Sequence, residues 1–392
     1  MNKLHLTRRI HIRLRVQFAH SETFFLFPCK MGACLKTVFL NSHFIAHFLK
    51  KMLIDYIKGA DKIMKYYTCA NTSEGFTDLT EDNIFDIETK IELKGSSSHI
   101  RNLVLKLALE YNGSECEEII CPGTTDLLSG VILRDKGIAI VNKCGEAKKV
   151  INLDSYFGVP EYNPRTKYLY ECMFSSFAEA KKIHDAWEAI YGRNMDFTRL
   201  NKYGEEVINK LVRGRSVSGS GKIYKRFFGT STADGPSNFI DNITEKLEKR
   251  YFIKGRPGTG KSTFLKKLLA RLVEYGYDAE VYLCSFDRNS LDMVLSRELS
   301  FCVFDSTAPH EKFPERETDE ILDFYTNSGL AGVDEKYERE LFNIKSSYDM
   351  KVKEGMSFFK IARELRDASD RQAVSKVKDD DLAEIIREMF KA

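Results

Sequence analysis

Hydrophobic and polar positions along the chain set out one series of elements twice. A first strand is predicted over 65–69 and again over 223–228, each leading through a Gly turn to a short helix. A second strand ends at a glycine in both places (IELKG, YFIKG), and a loop then opens a helix, 102–111 in one series and 262–275 in the other. A third strand ends in cysteine (EEIIC, EVYLC), and a loop with a short helix leads to a fourth that is apolar throughout (GIAIV, SFCVF). Strands alternating with helices of this length predict a mostly parallel sheet covered by helices on both faces. Both series then turn helical, over 177–191 and 200–211 in the first and over 337–368 and 380–390 in the second.

The repetition holds residue by residue. Thr72, Gly75 and Gly95 stand 160 positions before Thr232, Gly235 and Gly255. Cys121, Leu128, Val131 and Arg134 stand 163 before Cys284, Leu291, Val294 and Arg297, and Leu153-Asp154 answers Leu322-Asp323. One offset sustained over more than twenty residues marks a duplication. The basic Gly/Ser stretch 212–222 reads as a linker joining the copies near residue 214. The expected organisation is therefore a segment 1–63, a first α/β domain over 64–213 and a second over 214–392, the two halves pairing within one chain.

Charge changes the picture only at the start. Residues 1–63 hold 11 Lys/Arg against 3 Asp/Glu, so the rest of this +3 chain is mildly acidic. That balance gives no reason to expect nucleic-acid binding. The segment lacks a clear helical or strand period, and translation is expected to begin at Met64. No apolar stretch is long enough for a transmembrane helix. Nine cysteines without a CxxC pair or zinc spacing suit a reducing, cytoplasmic setting.

Chemistry concentrates in the second half. Gly255-Arg256-Pro257-Gly258-Thr259-Gly260-Lys261-Ser262 fits G-x-x-x-x-G-K-[ST], with Thr263 following, between a strand and a helix. Glycines 255, 258 and 260 let backbone amides close on a phosphate chain at the positive end of a helix. Lys261 is expected on the β- and γ-phosphates, the Ser262 hydroxyl on Mg²⁺ and Thr263 near the α-phosphate. Asp305, ending SFCVF, is expected to hold Mg²⁺ as a Walker B carboxylate; its other reading is a cap on the turn that follows. Ser306 stands where many ATPases carry a catalytic Glu, which leaves the base unassigned. Asp287 as base or acceptor site, His310 as a γ-phosphate sensor, and Arg288, Arg297 or Arg316 as charge stabilisers are the candidates.

The first half reads KGSSSHIRNL at the equivalent place. Ser98, Ile100, Arg101 and Asn102 replace Gly258, Gly260, Lys261 and Ser262, and Asn142 replaces Asp305. Ile100 is expected to intrude where phosphate would lie, and no Mg·ATP binding is expected there.

With RYFIKGRPGTGKSTFLKKL, AEVYLCSFDRNSLDMV and FCVFDSTAPH, the chain resembles an uncharacterised family of bacterial tandem P-loop ATPases, chiefly of Gram-positive bacteria, over 64 to about 390. The resemblance implies two P-loop NTPase-like folds with added C-terminal helices. In that family both halves commonly carry a phosphate loop, so the degenerate first loop is a departure. The expected activity is Mg-dependent ATP hydrolysis coupled to the helical segments and to an unidentified protein or small-molecule partner. A phosphotransferase and a nucleotide-gated binding module are the alternatives. The absence of an N-K-x-D motif after Asp305 argues against GTP.

Overall fold

The structure, a computed structural model, describes residues 10–18, 21–29, 63–112, 116–213, 219–308 and 311–391. Strands β1 (Ile10–Phe18) and β2 (Ser21–Cys29) pair antiparallel, Ile10 opposite Cys29, in a unit of their own. Most of the segment preceding the expected start at Met64, and residues 214–218 of the joining linker, lie outside the described residues.

Each half opens with a short strand, β3 (Met64–Tyr66) and later β11 (Ile223–Phe227). A hairpin follows in place of the expected bare turn: β4 (Cys69–Thr72) with β5 (Gly75–Asp78), and β12 (Gly229–Thr232) with β13 (Gly235–Asn238). Its turn is built identically in both copies. The Thr72 and Thr232 hydroxyls each donate to the carbonyl three residues on at 2.8 Å and accept an amide at 3.2 Å. Gly75 and Gly235 take φ of 113° and 121°, open to them because they lack a Cβ.

The first sheet is completed by β6 (Thr89–Lys94), β7 (Glu117–Ile120), β8 (Leu128–Leu133), β9 (Ile138–Val141) and β10 (Lys149–Asn152), in the order β10-β6-β9-β8-β7-β3. The second is completed by β14 (Lys249–Lys254), β15 (Ala279–Leu283), β16 (Leu291–Ser296), β17 (Phe301–Asp305) and β18 (Glu320–Asp323), in the matching order β18-β14-β17-β16-β15-β11. All neighbours are parallel except around β8 and β16, which run antiparallel. These two strands occupy the place where a short helix was expected. LSGVIL and LDMVLS are buried at every position, so no alternation betrays them as strands.

Nor do helices cover both faces of each sheet. One face carries the long helix after the second strand, Ser98–Asn112 or Lys261–Glu274. The opposite faces share one central core, in which Tyr66, Ile119 and Ile132 meet Phe252, Tyr282, Met293 and Phe304. Two short helices, Glu81–Ile84 and Ile240–Thr244, are part of that layer.

The C-terminal helices of the two halves are exchanged. Arg165–Gly192 packs along Glu338–Val374. The helix after the first, Phe197–Leu211, sends Leu200, Val207 and Ile208 into the core beneath Lys261–Glu274 of the second lobe. Asp379–Phe390 sends Leu382, Ile385, Ile386 and Met389 into the first-lobe core beside Ile100, Val104 and Leu105. The exchanged segments align at an offset of 182: Phe177 with Phe359, Ala180 with Ala362, Asp185 with Asp367, Leu200 with Leu382. No helix among the described residues is long and apolar enough to cross a membrane.

Candidate functional site

Strand β14 delivers Gly255 to a loop that turns directly into Lys261–Glu274. Gly258 and Gly260 both take φ of 73°, a left-handed conformation in which a side chain is strained. A Cβ on Gly255 would stand 2.6 Å from Thr259 Oγ1. Thr259 staples the loop shut, donating to the Arg256 carbonyl at 2.7 Å and accepting its amide at 3.3 Å. No side chain caps the helix, whose first-turn amides therefore face the loop. The result is a glycine loop at an uncapped helix N-terminus, a setting that attracts anions.

Lys261 is nearly buried, and its Nζ curls back to the Arg256 carbonyl at 2.8 Å and lies 3.4 Å from Asp305 Oδ2. Asp305 reaches that point because β17 lies directly beside β14, Ile253 opposite Asp305. Its Oδ1 accepts from the Thr307 amide and hydroxyl at 3.0 and 2.6 Å, so the carboxylate caps its turn while also facing the lysine. The Ser262 hydroxyl accepts the Leu291 amide at 2.9 Å. Thr263, exposed, is on the first turn of the same helix.

A second carboxylate, missed in the sequence, joins this group. The pairing of β15 with β16 shifts register between Tyr282 and Leu283, which leaves Asp292 as the extra residue of a bulge. Met293 pairs with Phe304 across β16 and β17, so Asp292 comes opposite Asp305. Burial, and then the facing Asp305 charge, push the Asp292 carboxyl up to about 8. Ser129 stands at the equivalent bulge of the first half, a pairing that the 163 offset makes legible.

Other expected residues are differently employed. Asp287 bonds the Asn289 amide at 2.9 Å and pairs with Lys181 at 3.2 Å. Arg256 points outward to Asp334 at 2.8 Å. Arg288 pairs with Glu74, Arg297 with Glu280, and Arg316 donates to the Thr244 and Leu247 carbonyls. Ser306 is buried and donates to the Lys312 carbonyl at 2.6 Å. His310 lies outside the described residues.

The loop is roofed by the first lobe. A Cβ on Gly258 would stand 2.7 Å from the Glu188 carbonyl oxygen, and one on Gly260 3.0 Å from Leu200. Lys181, His184 and Glu188, at i, i+3 and i+7, run along the helix that crosses the mouth. Burial holds the His184 imidazole below its ordinary pKa, and the charges of Lys181 and Lys261 act in the same direction.

At the equivalent place in the first lobe the helix begins at Ser98, so residues that form the loop in the second copy are wound into helix here. Ile100 does not intrude into an anion site; it is 2% exposed and packs in the apolar core, because the helical turn rotates it inward. The mouth is closed by Asp370, fully buried, which accepts from Ser98 Oγ at 2.7 Å and Tyr162 at 2.8 Å and meets His99 Nδ1 at 3.2 Å. Burial alone would raise its pKa, but hydrogen bonds from His99, Ser98 and Tyr162 outweigh that and hold it well below the usual carboxylate range. Arg101 turns to the Gly95 carbonyl, and Asn142 leaves a buried Oδ1 without a partner.

Compared with known proteins, the chain matches no family model, no curated protein and no solved structure.

Proposed function

We propose that the second lobe binds Mg·ATP in the Gly255–Thr263 loop and hydrolyses it, and that the first lobe's helices respond to that cycle. One observation carries the reading: an uncapped helix N-terminus, two glycines at φ of 73° and the Lys261 ammonium converge on one point beside Asp305. An anion chain bound there would meet amides, a helix dipole and a point charge together.

The donor set also fits a hard cation. Asp292 and Asp305 stand on neighbouring strands, and the Asp305 charge that raises the Asp292 carboxyl is a repulsion that a divalent ion relieves. Ser262 Oγ and the two carboxylates would hold Mg²⁺, which would neutralise charge developing on the phosphates. Lys261 would leave the Arg256 carbonyl for a phosphoryl oxygen. The amides of the loop would fix the β-phosphate, and the roofing helix would exclude water from the far side. With Asp287 tied to Lys181, the geometry favours hydrolysis over transfer to an acceptor held by that carboxylate.

Phosphate release from Mg·ATP by the purified protein tests the reading. Steady turnover that falls at least about a hundredfold in Lys261→Ala is expected; turnover equal in the two proteins, or none in either, would refute it.

A further inference from the structure

The helix that roofs the loop belongs to the other lobe, and its cationic residue is placed to act on whatever the loop holds. We infer that Lys181 supplies a positive charge to the terminal phosphate of a nucleotide bound in the Gly255–Ser262 loop. The inference rests on the nucleotide reading of that loop and adds to it the group that distinguishes a triphosphate from a diphosphate.

Three observations carry it. First, the helix runs across the mouth with its end fixed: the Glu188 backbone abuts Gly258, and Lys181 lies seven residues, about 10 Å of helix, further along. The lysine therefore lies away from Gly258, beside the loop that carries Asp287. Second, its partner marks the spot. Lys181 Nζ is 3.2 Å from Asp287 Oδ2, and Asp287 together with Asp305 adds to the negative field at Asp292, beside which Lys261 also lies. Lys181 and Lys261 thus approach one carboxylate cluster from two lobes. Lys181 also donates to Asp185, so a terminal phosphoryl oxygen would take the third proton of its ammonium while the pair with Asp287 is kept. Third, the duplication repeats the feature. At the 182 offset the residue is Arg363, also cationic, and a Cβ on Gly123 would stand 3.1 Å from its Nη1. Gly123 is 163 before Phe286, the neighbour of Asp287, so the positive charge occupies the same place over both lobes.

A cation brought from a separate element is an established way to stabilise charge on a transferring phosphoryl group. Here the element is the exchanged helix, so the γ-phosphate would hold the first lobe's helix against the second lobe's loop.

Binding of Mg·ATP (as its slowly hydrolysed thiophosphate analogue) and of Mg·ADP to wild type, Lys181→Met and Lys181→Arg tests this. Lys181→Met is expected to weaken the triphosphate at least about tenfold and leave ADP within about twofold, with Lys181→Arg restoring most of the loss. Loss of both ligands alike would show that Lys181 only docks the helix, and no loss of either would show that it does not reach the phosphate; each overturns the inference while leaving the nucleotide site standing. Failure of wild type to bind either nucleotide would instead remove the nucleotide reading, and this inference with it.

Discussion

The two lobes share strand order, hairpin turns and roofing helices, yet their second-strand loops have opposite fates. In the second lobe, glycines keep the loop open, Lys261 stands on its rim and the roof presents the backbone of Glu188. In the first, the same segment has coiled into helix and the roof presents Asp370, which bonds Ser98, His99 and Tyr162. Glu188 and Asp370 are the same position at the 182 offset. At the first lobe's helix N-terminus the chain itself supplies the anion. The difference teaches that one buried carboxylate can satisfy, from within the chain, a helix N-terminus that the other copy leaves uncapped.

The largest effect is expected from breaking that built-in pair. Asp370→Ala strips a buried acceptor from three donors and should cost about 3–5 kcal/mol in denaturant unfolding; a cost below 1 kcal/mol would mean that the contact is incidental. Next comes the shared core. Glu280 is buried and bonded by Arg226 at 2.7 Å and Arg297 at 2.8 Å, and although burial favours its proton, these charges hold it at about 2. Its folded pKa lies below the ordinary value of 4.5, so its contribution is complete above that pH. As pH falls from 4.5 toward 2 the chain should lose on the order of 3 kcal/mol, a loss much reduced in Glu280→Gln.

Smaller again is Gly258→Ala, which combines a left-handed φ with a methyl 2.7 Å from the Glu188 carbonyl and should cost about 1–3 kcal/mol. Ser98→Ala, its counterpart, should cost less than Asp370→Ala, since only one of three donors is removed. Glu188→Ala closes the series. Its side chain is half exposed, and a change within about 0.5 kcal/mol is expected. A cost matching that of Asp370→Ala would erase the contrast between the lobes.

The loop, its helix and the duplication were legible because each is local: glycine spacing, a strand before, an amphipathic run after. Antiparallel β8 and β16 were not, since full burial removes the alternation that identifies a strand. Asp292 escaped because no spacing signals a carboxylate that a bulge re-aims. The helix exchange escaped for another reason. The pattern of Leu200, Val207 and Ile208 shows that one face is apolar, but it carries no information on which lobe will bury it. The readable trace was the register of 165–208 with 347–390, too sparse in identities to stand out beside the 160 offset. Ile100 was misplaced because the loop's helical rewinding changes which way position 100 points.

Calorimetric titration of Mg·ATP into the intact chain tests the central claim most directly. One site per chain, abolished in Lys261→Ala and retained in Arg101→Ala, is the predicted result. Two sites, none, or a site that survives loss of Lys261 would contradict it.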